Sequence, residues 1–224
     1  MIDGNMVNCV GEWYNNYKAD YNHIQNNLKE VRENFLSADK KTQRRMLFTS
    51  LEFAIISIQT KVDIHEKAFK QLKLGNNRIS ECLSSVMYKN NKKDYLMRNR
   101  NKLDKADRVI RLLENNELDK AHKQVRENFV GVSTIKSAFT LSMLGFTSKA
   151  CLDTNLKSFF GRDKDIPDDI KEYDKFCSKV LDVEGLEGLD NFMKQWVIFD
   201  YQRNVNEKHT IYFDVQRMIY NGEI

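Results

Sequence analysis

The chain has 224 residues, of which 41% are hydrophobic and 30% are charged, a composition that excludes a disordered or fibrous protein. The net charge of +4 is compatible with a polyanionic partner but does not require one. One proline and nine glycines supply few of the turn residues that sheets of short strands need. We therefore expect an all-α protein.

Apolar runs and targeting signals indicate where the protein resides. The longest apolar stretch, residues 51–58, is interrupted by polar side chains and is too short to cross a bilayer. The N-terminus has neither the basic start nor the apolar run of a secretion signal. We therefore expect an intracellular protein, in the cytoplasm or nucleoid or in a nucleus, without membrane contact. The four cysteines lie too far apart for metal or iron–sulfur ligation and are expected to be reduced thiols.

Apolar residues recur at three- and four-residue steps over residues 9–36 and predict one long helix. Asp39 can cap the next helix, which has a basic first turn and is then apolar on nearly all sides until Ile58, as is typical of a central helix. Further helices are predicted over residues 62–74, 79–88, 103–114, 118–128, 135–144, 167–181 and 189–204, and one is expected to begin near Cys151. Residues 89–93 are polar and predict a loop, and residues 209–219 fit either a helix or a strand.

Three features follow one another along the chain. The central helix ends at a turn formed by Gln59 and Thr60. A lysine-rich approach then leads into an amphipathic helix at residues 102–110. The third feature is a tight connection at residues 131–134, Gly-Val-Ser-Thr, that enters an apolar helix and is followed by an Asp-Thr pair beginning at Asp153.

In this order the features resemble the helix-hairpin-helix DNA glycosylase superfamily, which contains endonuclease III and the 8-oxoguanine glycosylases, over about residues 45–160. The resemblance implies an all-α fold of two lobes with a DNA-binding cleft between them. Residues 41–149 would form a six-helix-barrel lobe that ends in the helix-hairpin-helix. Residues 1–40 and 150–224 would form the second lobe. The iron–sulfur cysteines of endonuclease III are absent, and no cofactor is implied.

A hairpin between two helices can present backbone N–H groups, at a positive helix N-terminus, to phosphate oxygens of any sequence. Gly131 would permit close approach of the backbone, and Gln59 would enter the duplex where the target base is flipped out. The simpler alternative is a plain turn between packed helices. The DNA-binding residues that the resemblance implies are Gln59, Thr60, Gly131, Val132, Ser133, Thr134 and Ile135.

Asp153 directly precedes a predicted helix, where a carboxylate can simply cap backbone N–H groups. The resemblance implies that it is catalytic and stabilises an oxocarbenium-like sugar or activates a water. Family members usually continue Asp-Thr-His, whereas this chain has Asn155. Bifunctional relatives carry a Schiff-base lysine in the pattern Gly-x-Gly-x-Lys. Ile135 occupies that position here, and Lys136 lies one residue later, about a quarter turn around the helix.

The resemblance therefore implies a monofunctional DNA N-glycosylase that acts as a monomer on a damaged or modified base in double-stranded DNA, with lyase activity through Lys136 as an alternative. Trp196 and Phe199 are candidates for the base pocket, although aromatic residues at helical spacing usually belong to the core. Three other functions stay open. They are a non-catalytic helix-hairpin-helix DNA-binding protein, a relative that processes hypermodified bases in viral or mobile-element DNA, and a helical protein-interaction domain.

Overall fold

The structure, a computed structural model, describes residues 4–75, 78–152, 156, 167 and 169–203. Over these ranges the protein is all-α and contains no strand, which confirms the all-α class that the sequence predicted. The described helices are α1 (Gly4–Asn16), α2 (Lys18–Ser37), α3 (Lys40–Ile56), α4 (Val62–Leu74), α5 (Ile79–Cys82), α6 (Lys89–Arg100), α7 (Leu103–Glu114), α8 (Leu118–Asn128), α9 (Thr134–Ser142), α10 (Ile170–Val180) and α11 (Asn191–Arg203).

Most predicted helices are confirmed, and α4, α7 and α8 have the predicted bounds. The predicted cap of α3 is also confirmed, because the Asp39 carboxylate accepts a hydrogen bond of 2.7 Å from the backbone N–H of Thr42. Residues 209–219 and nearly all of the helix expected after Cys151 lie outside the described residues.

The prediction of one continuous helix over residues 9–36 is wrong. The chain leaves helical geometry at Tyr17, where φ is −117° and ψ is 19°, and α2 begins at the next residue. The Tyr17 ring packs against Trp13, with a centroid distance of 4.8 Å. An apolar stripe reports which side chains face the core, and two helices that share one buried face preserve that stripe across a break in the backbone.

The region around α6 also differs from its prediction. Helix α5 ends at Cys82 rather than at Tyr88, and turns follow it. The polar residues 89–93, predicted as a loop, form the first turn of α6. Three of these polar residues, Lys89, Asn90 and Asn91, are exposed at the helix start, whereas the polar Lys92 is buried.

The predicted central position of α3 is confirmed by its packing. Eleven of its residues are buried, and the helix contacts α2, α4, α6, α7 and α9. Helices α1 and α2 pack against α11, and α8 packs against α10. The two-lobe division stays a prediction. None of the helices in the described ranges is long and apolar enough to cross a membrane.

Candidate nucleic-acid interface

The predicted hairpin connects α8 to α9 through residues 129–133. Gly131 has a left-handed backbone, with φ of +78°, which turns the chain between the two helices. Ser133 is exposed and caps α9, because its Oγ accepts a hydrogen bond of 3.3 Å from the Lys136 N–H. Val132 and Thr134 are buried, so any contact that they make with DNA would use their backbone. Ile135 is partly buried and packs against the core.

Helix α6 holds this hairpin in place. The Asn99 side-chain amide donates to the Val130 carbonyl at 3.0 Å and accepts from the Val130 N–H at 2.8 Å. The Tyr95 ring covers Gly131 so closely that a Cβ added to the glycine would lie 2.2 Å from Tyr95 Cδ2. Two side chains of one helix therefore fix the position of the hairpin.

Lys102 stabilises the other side of the hairpin. Its ammonium donates to the carbonyl of Asn128, the last residue of α8, and lies 5.9 Å from the centroid of the Phe129 ring. Burial lowers the pKa of Lys102, and so do the nearby charges of Arg98 and Lys105. The cation compensates the negative C-terminal end of α8.

The Gln59 turn lies directly after α3. Gln59 is exposed and has a left-handed backbone, with φ of +48°. The Thr60 hydroxyl donates to the Ile58 carbonyl at 3.1 Å. A left-handed conformation costs a residue with a side chain about 1–2 kcal/mol, so the surrounding structure must hold it in place.

Two lysines meet at this turn. Lys92 of α6 donates from its ammonium to the carbonyls of Ile56, at 3.0 Å, and Ile58, and to the hydroxyl of Thr60 at 2.7 Å. Lys136 of α9 donates to the Ser57 hydroxyl at 2.8 Å, and its ammonium lies 5.2 Å from the centroid of the Phe139 ring. The structure thus places Lys136 against Ser57, two residues before Gln59 in the chain.

The electrostatics of this cluster follow from burial and like charge. Burial and, to a smaller degree, the charge of Lys136 together lower the pKa of Lys92 to about 8. His65 of α4 donates from Nε2 to the Phe53 carbonyl at 2.9 Å. Burial and the charges of Lys136 and Lys92 lower the pKa of His65 to about 3, so the imidazole is neutral at pH 7. The two ammonium groups are therefore the positive charges that face the C-terminal end of α3 within the described cluster.

Sequence reasoning missed the residues of α6 that support both features. Lys92, Tyr95 and Asn99 are three and then four residues apart and lie on one face of the helix. Lys92 and Asn99 are buried polar side chains, which hydrophobic periodicity does not register. The spacing of these three residues was the available signal, but it is recognisable only once residues 89–93 are known to be helical.

Asp153, the candidate catalytic residue, lies outside the described residues, as does Asn155. The segment that leads to it is fixed at three successive residues. The Tyr173 hydroxyl donates to the Ala150 carbonyl at 2.7 Å and accepts from the Leu152 N–H at 3.1 Å. Between them, the Cys151 N–H donates to Gln195 Oε1 at 2.5 Å. Helices α10 and α11 therefore hold the chain up to Leu152.

Replacement of Tyr173 by phenylalanine tests this support. Tyr173→Phe leaves the buried Ala150 carbonyl and Leu152 N–H without their hydroxyl partner, and we expect a loss of about 1–3 kcal/mol in the free energy of unfolding. Urea unfolding followed by circular dichroism measures the change. A free energy of unfolding equal to that of the wild type would show that the hydroxyl does not hold this segment.

The two candidate pocket residues lie on α11. Trp196 is only 4% exposed and belongs to the core, where its ring stands edge-on to Phe199 with a centroid distance of 5.4 Å. Phe199 is partly buried and packs against the same core. Their part in a base pocket stays a prediction.

Comparison of the chain with protein-family models, with curated protein sequences and with solved structures finds no match in any of the three. The resemblance to the helix-hairpin-helix glycosylases therefore rests on the residues of the chain, and the structure adds only that the described ranges are all-α.

Proposed function

We propose that the protein is a DNA N-glycosylase. It binds duplex DNA through its hairpin, flips a damaged or modified base out of the stack and cleaves the N-glycosidic bond of that base. The observation that carries the proposal is the proximity of the hairpin helix to the Gln59 turn, with Lys136 Nζ 2.8 Å from Ser57 Oγ. A base-flipping enzyme needs a contact with the phosphate backbone beside a side chain that enters the duplex.

The hairpin supplies the backbone contact. The positive N-terminal end of α9 begins at the exposed Ser133, and its first-turn N–H groups suit phosphate oxygens. Such a contact does not depend on base sequence, which suits an enzyme that scans DNA. The net charge of +4 is compatible with the same partner.

Gln59 supplies the group that enters the duplex. Its amide carries both donors and an acceptor, so it can pair with the base that is orphaned when its partner leaves the stack. Gln59 is exposed, and Lys92 donates hydrogen bonds to the residues on either side of it, so the Gln59 side chain extends into solvent from an anchored backbone.

Asp153 would carry the chemistry. The C1′–N bond breaks, and the base leaves with the bonding electron pair. The proton that the base takes up is the one that the attacking water loses, which passes through the Asp153 carboxylate and solvent and so restores the carboxylate. Water adds to C1′, and its proton passes to the Asp153 carboxylate, which also stabilises the positive charge that develops on the sugar. The product is an abasic site, and the reaction requires no cofactor.

Lys136 is assigned to charge and positioning rather than to Schiff-base chemistry, because its ammonium is engaged by the Ser57 hydroxyl. Lys136→Gln should weaken duplex binding and reduce the salt slope by about one unit or less, while single-turnover base release at saturation stays nearly intact. Lys120→Gln is the matched control, since it removes one positive charge from the exposed face of α8. A DNA adduct trapped by borohydride in the wild type and lost in Lys136→Gln would contradict the monofunctional assignment.

The proposed function is tested with a panel of duplexes that carry different damaged or hypermodified bases, each sampled with and without hot alkali. Strand breaks that appear only after alkali are expected for a monofunctional glycosylase, and breaks before alkali would add lyase activity. Duplex binding without breaks on any substrate would favour a non-catalytic helix-hairpin-helix protein. Failure to bind duplexes even at low salt, where phosphate contacts are strongest, would favour a protein-interaction domain.

A further inference from the structure

Lys92 is the most deeply buried lysine of the described residues, with 1% of its surface exposed. Its ammonium lies under the C-terminal end of α3, where the last carbonyls of a helix have no partner within the helix. It donates to the Ile56 carbonyl, the Ile58 carbonyl and the Thr60 hydroxyl. An ammonium has three donors, and these contacts use all of them.

Two of these contacts bracket Gln59. Ile58 and Thr60 are its neighbours in the chain, so one ammonium holds the residue before and the residue after the left-handed position. A strained backbone persists only where its surroundings determine it more than once. Lys92 meets that condition, because the residue between two anchored neighbours has little freedom to leave its conformation.

We infer that Lys92 is a positioning residue, a clamp that holds the Gln59 turn in the conformation from which Gln59 enters the duplex. The purpose of the clamp rests on the proposed function, whereas the clamp itself is a property of the fold. Lys92 shares one face of α6 with Tyr95 and Asn99, which hold the hairpin. Helix α6 therefore fixes the position of the Gln59 turn relative to the hairpin.

Removal of the clamp is tested with Lys92→Met, which keeps an unbranched side chain one heavy atom shorter and loses every donor. In the protein without DNA, amide hydrogen exchange at residues 57–61 should become about tenfold faster or more, because the strain of one left-handed residue is released. Exchange at residues 130–134 should not change. Lys149→Met is the matched control, because Lys149 is also buried but is held by Asp119 and Asp174. It should leave exchange at residues 57–61 unchanged.

The same variants are then tested on duplexes with 2-aminopurine at the target position, whose fluorescence reports base extrusion. Lys92→Met should reduce the extrusion amplitude about tenfold, while its affinity for undamaged duplex changes less than about twofold, because the hairpin is intact. Lys92→Arg keeps the charge and donors and should restore most of the amplitude. If Lys92→Met does not fold, Thr60→Val removes one partner of the clamp and should show the same changes to a smaller degree.

The outcomes separate the inference from the function on which it rests. Unchanged exchange at residues 57–61 in Lys92→Met would overturn the clamp. Faster exchange with wild-type extrusion would overturn its positioning role. Faster exchange in Lys92→Met, together with no extrusion by the wild type on any duplex, would overturn the proposed function and leave the clamp standing.

Discussion

Asp153→Asn is expected to fold like the wild type, to bind duplex DNA at least as tightly and to release the base about a hundredfold more slowly or worse. A neutral amide can still cap backbone N–H groups, but it can neither stabilise the positive charge of the transition state nor accept a proton from water. Single-turnover base release and thermal unfolding, measured on the same preparation, give the two quantities.

The chain offers a matched control for this substitution. Asp169 caps α10, where its carboxylate accepts from the N–H groups of Lys171 and Glu172 at 2.9 and 3.1 Å. Asp169→Asn makes the same chemical change at a helix N-terminus and should leave the rate of base release unchanged. If Asp153 were only a cap, its substitution would alter stability by at most about 1–2 kcal/mol and would spare the rate. A wild-type rate in Asp153→Asn would remove the centre of the proposed mechanism.

Gly131→Ala is expected to lower the free energy of unfolding by about 2–5 kcal/mol, the combined cost of a left-handed backbone and of a Cβ forced against the Tyr95 ring. Gly188→Ala separates the two costs, because Gly188 has φ of +83° but no described atom within 4 Å of its added Cβ. It should cost only about 1–2 kcal/mol. Urea unfolding of both variants measures the difference.

The Tyr95 contact is isolated by a double-mutant cycle. In a Tyr95→Ala background, the cost of Gly131→Ala should fall towards that of Gly188→Ala, since the obstructing ring is gone. An undiminished cost would show that the hairpin needs glycine for its backbone conformation alone. In both cases the protein's own fold requires glycine at position 131, whether or not DNA is bound. Substitution of Gly131 therefore cannot by itself measure the approach of a phosphate.

Many of the helices are predictable from the sequence, because the signals that define them lie close together in the chain. The apolar face of α7 and the Asp39 cap of α3 are encoded by residues within a few positions of one another. The break at Tyr17 was not predictable in the same way, because α1 and α2 share a buried face and the apolar stripe runs through the break. Polarity at residues 89–93 was misleading because a helix start that faces solvent has the composition of a loop.

The features of the candidate site are likewise of two kinds, those set by nearby residues and those set by tertiary contacts. The sequence by itself indicated the glycine turn between two helices and the end of the central helix near Gln59, because each depends on local residue types. The left-handed backbone of Gly131 and the capping of α9 by Ser133 were not predicted. Only the tertiary structure decided that Lys136 meets Ser57, that Tyr95 covers Gly131 and that Lys92 anchors both neighbours of Gln59. The physical reason is that a buried polar side chain is stabilised by the particular carbonyl or hydroxyl that a distant segment brings to it. No periodicity within one helix records that partner.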